Sequence, residues 1–543
     1  MKKVLAIVLA LAMLLSVTAA MAEDVSAEVA EMNTALIEAA KALEPSEVLH
    51  FETPLEITGM GVHFNNYPTE FDGCYFFPAI QSLTNATITI DWRVQDNYAT
   101  QVATALASGA LPDIINAGDY GVMNLVNEGA VVALDEYLDL IPNIVAAVGE
   151  DRMADWRQAD GHIYTIPTIV NVPGSQSVMI RQDWLDALEM DVPTNWDEWV
   201  ELWRAIKAND LNGNGDPNDE IPLALEQGSN GERSMASLLN AFGIRASSDC
   251  QFCVLDDGTY TMVYEHPRYR EFLEAVQGLF AEGLIDPEFA TRTQAELFTA
   301  MDSNLVGTTM TWAERARIST TTNREAGDED ALWTCVAPIV GPHGDQMTQE
   351  RAAVSSVWCI SADAAAAGKV EDILRLFNWC YSDEGKMLYN YGIEGVSYDM
   401  VDGAAVLKPV MVANGFVDYR SLGCEFEPFG GEWETNAFMQ CLFAGMTLEE
   451  LDDASASFYN GLAVVNNDYF YAMPQTLDTE AYVEYRAELI TTGVCVLRDQ
   501  TIAGQMTVDD FFTQYESLKA QGLQEVIDAG TEAYALLSGS TAE

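Results

Sequence analysis

Between Asp210 and Glu220 the chain reads DLNGNGDPNDE, with side-chain oxygens recurring at alternate positions. Asp210, Asn212 and Asn214 are followed by Gly215, the opening of a calcium loop. Ca²⁺ is a hard cation that takes roughly six to eight oxygen ligands, and a glycine permits the sharp turn they require. An ordinary loop of this kind has glutamate at its twelfth position, where Ile221 stands; Asp219 and Glu220 arrive early. The predicted ligands are Asp210, Asn212, Asn214, the backbone carbonyl of Asp216, Asp219 and Glu220. Pro217-Asn218 reads as an insertion that leaves the last ligands ambiguous. The predicted role is structural, since nothing nearby suggests a metal-held water. An acidic Asn/Gly turn without metal is the competing reading.

The loop follows a helical stretch. Pro193-Thr194 opens a helix over 195–208, with Trp196, Trp199 and Trp203 at helical spacing. A core-facing aromatic stripe explains these tryptophans better than a ligand platform. Before it, His162–Pro173 is an extended apolar run broken by prolines, and a helix over 180–188 carries Trp184 and Leu188. Nearer the start, 47–60 and 86–92 read as strands, 97–108 as a helix and 111–115 as a short buried strand. Asp119 is then predicted to cap a helix through Val126. Strand-helix alternation predicts a mainly parallel sheet flanked by helices. Ligands in such sheets sit beyond the carboxyl ends of strands. That singles out Asn65 and Asn66 after the first strand, and Asn116, Asp119 and Tyr120 after the third. A plain helix cap explains Asp119 equally well.

The chain has 543 residues, too many for one core, and 49% of them are apolar. Acidic residues number 84 against 26 basic, a formal charge of −58. Such a surface repels nucleic acid and anionic lipid, and disfavours an anionic ligand unless the cleft is locally basic. Residues 1–22 read as a signal peptide: Lys2 and Lys3, an apolar run, then Ala20-Met21-Ala22 before Glu23. No cysteine lies near that site, so no lipobox is present, and the protein is expected to be exported, periplasmic or extracellular. Of nine cysteines, Cys250 and Cys253 form a CxxC without partners for a zinc set. Cys335, Cys359 and Cys380 read as core thiols.

Several motifs in order carry a resemblance. Ala107-Ser-Gly-Ala-Leu-Pro-Asp-Ile-Ile115, Gly129-Ala-Val-Val-Ala-Leu-Asp135 and Tyr164-Thr-Ile-Pro167 lead the series. Ile180-Arg-Gln-Asp-Trp-Leu185, Val192-Pro-Thr194 with Trp196-Asp-Glu-Trp199, Gly307-Thr-Thr-Met-Thr-Trp312 and Asn378-Trp-Cys-Tyr-Ser-Asp-Glu-Gly385 continue it. From about 47 to about 395 the chain resembles the family 1 extracellular solute-binding proteins of ABC importers. The resemblance implies an α/β, two-lobed, type II periplasmic-binding-protein-like fold with mainly parallel sheets and hinge crossovers. The implied division is an N-terminal helical extension at 23–46, lobe 1 at 47–170 and 332–390, and lobe 2 at 171–331 and 391–543. The run 331–338 is expected to cross back to lobe 1. The Asp210 loop resembles the calcium loop of alginate-binding and related oligosaccharide-binding members.

By the same resemblance, Trp312 matches a tryptophan that stacks on sugar in maltose-binding relatives, and Asp119 falls close to a hydroxyl-binding aspartate. Glu314, Trp358, Tyr398, Glu432 and Trp433 complete the candidates, being aromatic or hydroxyl-pairing types in the right regions. The function implied is capture of a carbohydrate, best an oligosaccharide, by hinge closure and delivery to an ABC permease. The receptor is expected to be a monomer that is not an enzyme and binds no nucleic acid. A secreted carbohydrate-active hydrolase or lyase is the alternative from another class. A sensory receptor, or a receptor for a peptide or other non-sugar solute, is the alternative within the binding class.

Overall fold

The computed structural model describes residues 31–63, 75–94, 98–109, 111–170, 176–216, 218–226, 233–247, 249–349, 354–408, 432–433, 440, 443, 446, 448–465, 468–471, 474 and 476–538. The predicted signal peptide and Asn65 and Asn66 lie outside them. The chain divides into two compact units. The first comprises 1–156, 162–172 and 354–447, the second 157–161, 173–353 and 448–543.

The first unit opens with a helix over 31–41. Leu36 and Ala40 on it are fully buried and join the unit's core, with Met32 and Ile37 packed beside them. The predicted N-terminal extension is therefore integral to this unit here. β1 (Leu55–His63) and β2 (Ala86–Val94) pair in parallel, and β3 (Ile114–Asn116) pairs in parallel with β1. β4 (Thr165–Val170) ends this first pass.

The second unit starts with β5 (Gln176–Arg181), then β6 (Ile221–Ala224) and a hairpin of β7 (Phe252–Val254) and β8 (Tyr260–Met262). β9 (Val306–Trp312), β10 (Trp333–Val336) and the short β11 (Thr348–Gln349) follow. Its main sheet has the order β10-β5-β9-β6. Only the β6–β9 pair in it is parallel; β5 is antiparallel to both neighbours. The expected mainly parallel pattern thus gives way to a mixed sheet.

The expected crossing at 331–338 does not occur there. β10 stays in the second unit, Trp333 opposite Arg181 and Val336 opposite Val178. The return comes at β12 (Val354–Ile360), which lies antiparallel between β3 and β4. A hairpin of β13 (Tyr398–Val401) and β14 (Ala404–Leu407) and the short β15 (Glu432–Trp433) remain with the first unit, giving a sheet ordered β15-β4-β12-β3-β1-β2. The last strand, β16 (Phe470–Tyr471), pairs with β11, and the chain ends in helices that include Val508–Leu518 and Gln524–Ser538.

The tryptophan stripe packs as the sequence predicts. On helix Trp196–Lys207, Trp199 and Trp203 are buried, and Trp203 Nε1 donates to Thr308 Oγ1 at 2.9 Å. Asn195 caps this helix by accepting from Glu198 N. Thr194 donates from its backbone N and its hydroxyl to Glu198, holding that carboxyl below the ordinary carboxylate range. In the same unit Arg181, wholly buried, pairs with Asp183 and Asp328 and stacks 4.8 Å over Trp184.

Candidate functional site

The acidic loop is closed by hydrogen bonds that run along its own sequence. Asp210 Oδ2 accepts from Gly215 N at 3.0 Å, and Gly215 takes φ +91°, a conformation that favours glycine. Asn212 Oδ1 accepts from Asn214 N, and Asn214 Oδ1 from Asp216 N. The amides of Asn212 and Asn214 donate to the two Asp219 oxygens at 3.2 and 2.6 Å. Glu220, 7% exposed, accepts from Leu211 N through Oε1 at 2.8 Å, while its Oε2 is buried with no hydrogen-bond partner. Among the described residues no three His, Cys, Asp or Glu side chains gather at metal-binding distance. The two asparagine amides occupy the Asp219 oxygens instead.

In the first unit the carboxyl end of β3 carries Asn116, 7% exposed, whose Oδ1 is buried without a partner. Its carbonyl accepts from Tyr98 Oη at 2.7 Å, and burial pushes that phenol upward. Gly118 follows at φ +46°, where a Cβ would stand 3.0 Å from the Tyr98 ring. Asp119 lies within the single turn Gly118–Tyr120, and Gly121 is the N-cap of helix Val122–Asn127. The predicted capping role for Asp119 is thereby corrected: the turn before the helix consumes the position. Tyr120 is half-buried against the cluster around Met60 and Ile115; burial, then Glu128, raises its phenol.

In the second unit Trp312 is the last residue of β9, half-buried and paired with Gln176 of β5. Beside it Thr311 is 1% exposed, and its Oγ1 is buried without a partner. Glu226 is 2% exposed, two residues past the last β6–β9 pair, Ala224 with Thr309. Glu314 begins the next helix and accepts from Arg317 at 3.1 Å. Arg315 is held by Asp302 at 2.6 Å.

The remaining candidates sit elsewhere. Trp358 is 2% exposed in the first unit's core, edge-to-face with Trp92 at 6.3 Å; a Cβ on Gly61 would meet both rings. Tyr398 is 6% exposed in the same core, against Tyr391. Both side chains lie in the first unit's apolar core. Glu432 and Trp433 extend the sheet beside Ile169 and Val170.

Glu226 and Thr311 escaped the sequence reading. The strand that delivers Glu226 is four residues long and contains Pro222, which weakens its pattern. β6 is an edge strand, where proline is tolerated.

The paired units, each a sheet flanked by helices, have the α/β fold of type II periplasmic binding proteins, and residues 77–234 match the bacterial extracellular solute-binding protein family. It is the family that the sequence motifs resemble. A fructooligosaccharide ABC transporter substrate-binding protein of Streptococcus pneumoniae is 32% identical over 225 residues, 38% of this chain and 41% of that protein. The matched stretches span 41% to 64% of the lengths of the curated relatives. Among solved structures, an alginate-binding protein without calcium ion superposes with a TM-score of 0.66 at 23% identity, covering 90% of this chain and 99% of that one. An EF-hand mutant of the S. pneumoniae protein in complex with fructo-nystose gives 0.64 at 18% identity, covering 90% and 100%. Among the described residues no helix is long and apolar enough to cross a membrane.

Proposed function

We propose that this protein is an exported, non-enzymatic binding receptor that captures an oligosaccharide and delivers it to the permease of an ABC importer. The observation that carries the reading is the family match over 77–234, joined to relatives named for carbohydrate binding. The strand-end chemistry supports it. Half-buried Trp312 offers an apolar ring face for sugar C–H surfaces, and each unit has its own buried strand-end acceptor, Asn116 in the first and Thr311 in the second, that suits a hydroxyl donor. A buried polar site also rejects ligands that leave its groups unpaired.

The Asp210–Glu220 loop is proposed to hold a structural Ca²⁺. Its donors are all hard oxygens, and the orphaned Glu220 Oε2 is the kind of buried acceptor that a cation satisfies. Asp210, Asn212, Asn214, Asp216, Asp219 and Glu220 would hold the ion, with the two asparagine amides turned so that oxygen replaces nitrogen. Two structural relatives, an alginate-binding protein without calcium ion and an EF-hand mutant, agree with this.

The test is a thermal scan of the mature protein against an oligosaccharide panel, with products monitored in the same tubes. A ligand at about a hundred times its Kd adds about 2.7 kcal/mol. One sugar that stabilises sharply and is recovered intact supports the receptor. Breakdown of a sugar sinks it in favour of a hydrolase or lyase, and stabilisation by peptides alone moves the ligand class.

A further inference from the structure

We infer that Asn212 and Asn214 form an internal latch that holds the Asp210–Glu220 loop closed before a cation arrives, so that the second unit keeps its sheet in register when calcium is scarce. The inference rests on the calcium reading above and adds to it what the loop does without the ion.

The orientation of both amides is fixed by the backbone. Asn212 Oδ1 accepts from Asn214 N at 3.0 Å, and Asn214 Oδ1 accepts from Asp216 N at 2.7 Å. An amide whose oxygen is engaged with a backbone N–H must point its nitrogen elsewhere, since flipping it would set donor against donor. Both nitrogens reach one carboxylate. Asn212 Nδ2 donates to Asp219 Oδ1 at 3.2 Å, and Asn214 Nδ2 donates to Asp219 Oδ2 at 2.6 Å. The front of the loop is thereby tied to its back by two bonds to a charged acceptor, which are stronger than neutral ones. An ionised aspartate at either position has the same shape and no N–H to donate.

The tie sits between elements that carry the sheet. The loop leads from helix Trp196–Lys207 to β6. At its end Leu211 N donates to Glu220 Oε1 at 2.8 Å, and Ile221 N donates to Leu305 O at 2.7 Å. Ile221 opens β6 and pairs with Val306, the first residue of β9, the strand that ends at Trp312. A loop held shut keeps β6 against β9. Holding Ca²⁺ would satisfy Glu220 Oε2, buried and without a partner, and would require both amides to leave Asp219. The latch therefore lowers the affinity for the ion and protects the fold against its loss.

The experiment is hydrogen exchange, read by mass spectrometry, on the full mature chain in chelator and in millimolar Ca²⁺. The parent is compared with the double variant Asn212→Asp, Asn214→Asp, and Ca²⁺ affinity is measured on both by calorimetric titration. In chelator the parent's segment 211–221 should exchange at least about tenfold more slowly than an unstructured peptide. The double variant should lose about tenfold of that protection in chelator, because carboxylates then face Asp219, and regain it in Ca²⁺. It should also bind Ca²⁺ at least about tenfold more tightly, having more ligand charge and no amides to displace. Asn214→Asp alone, at an exposed position, should shift exchange in the same direction by a smaller factor, and it decides the matter if the double variant does not fold in either buffer. A parent loop that exchanges in chelator as fast as an unstructured peptide overturns the latch, as does a variant as well protected in chelator as the parent. Absence of Ca²⁺ binding in both proteins overturns the calcium reading instead, and the comparison in chelator still decides the latch.

Discussion

Substituting Glu220 by glutamine should have opposite consequences with and without calcium. In the calcium-free loop the carboxylate is half used: Oε1 accepts from Leu211 N at 2.8 Å, and Oε2 is buried with no partner. Glutamine keeps one acceptor for Leu211 and removes a charge buried at 7% exposure. The lost charge-assisted bond and the relieved burial are each worth about 1–3 kcal/mol and oppose one another, so Glu220→Gln in chelator should lie within about 1 kcal/mol of the parent. Calcium changes the balance. At about a hundred times its Kd the ion stabilises the parent by about 2.7 kcal/mol. A variant whose affinity falls about a hundredfold gains only about 0.4 kcal/mol under the same conditions. The difference of about 2.3 kcal/mol corresponds to roughly 5–9 °C for a unit of this size. The assay is differential scanning calorimetry of both proteins in millimolar Ca²⁺ and in chelator. A parent whose melting temperature ignores calcium would refute the metal assignment. An equal deficit of the variant in both buffers would refute the reasoning about Oε2.

Four further outcomes follow from the packing. Trp203→Ala should destabilise the second unit by about 3–5 kcal/mol in urea unfolding, through a cavity and the lost bond to Thr308. Thr293→Ala removes a capping box shared with Glu296 and should cost about 1 kcal/mol, read from the same transitions. Arg324 holds the Asp453 carboxyl below its ordinary range, so this pair contributes stability at neutral pH that is lost as pH falls through the lowered folded value. The penalty of Asp453→Asn should therefore shrink in acid, and it should be under about 1 kcal/mol because the pair is half-exposed. Burial pushes the Cys253, Cys335 and Cys359 thiols up to about 12, so these three should resist alkylation at about pH 8 until the protein is denatured.

Local pattern was legible where one element determines it. The alternation in Ala86–Trp92 gave β2, and the helix read over 195–208 is found as Trp196–Lys207. The Trp196, Trp199, Trp203 stripe was read as core, and Trp199 and Trp203 are buried. Pairing was not legible. Trp333–Val336 has a strand's composition whichever sheet receives it, and only its register with β5 assigns it to the second unit. The site divided along the same line. The Asp210 loop is a contiguous run, so its oxygen spacing can be read without the fold, and the Ca²⁺ it implies stands as a proposal. Asn116 follows from the strand-end rule, since one short strand leads directly into it. Ala224 and Thr309 become neighbours only through a pairing between residues far apart in sequence. Trp358 shows the reverse error: an aromatic residue in a strand carries no mark of which face it serves, and here it faces Trp92 in the core.

The position of β12 bears on how this chain can be made. The first unit's sheet has β12 between β3 and β4, yet the whole of β5 to β11 is synthesised before it. Until that strand emerges, β3 and β4 each lack the neighbour that joins them, and their edges stay unsatisfied. The second unit waits as well, because Phe511, Tyr515 and Val526 from the last helices complete the core around Trp199 and Phe272. Neither unit can close before most of the polypeptide is available, and such long-range closures are slow. A nascent chain wired this way can complete neither the first unit's sheet nor the second unit's core until β12 and the last helices have been made.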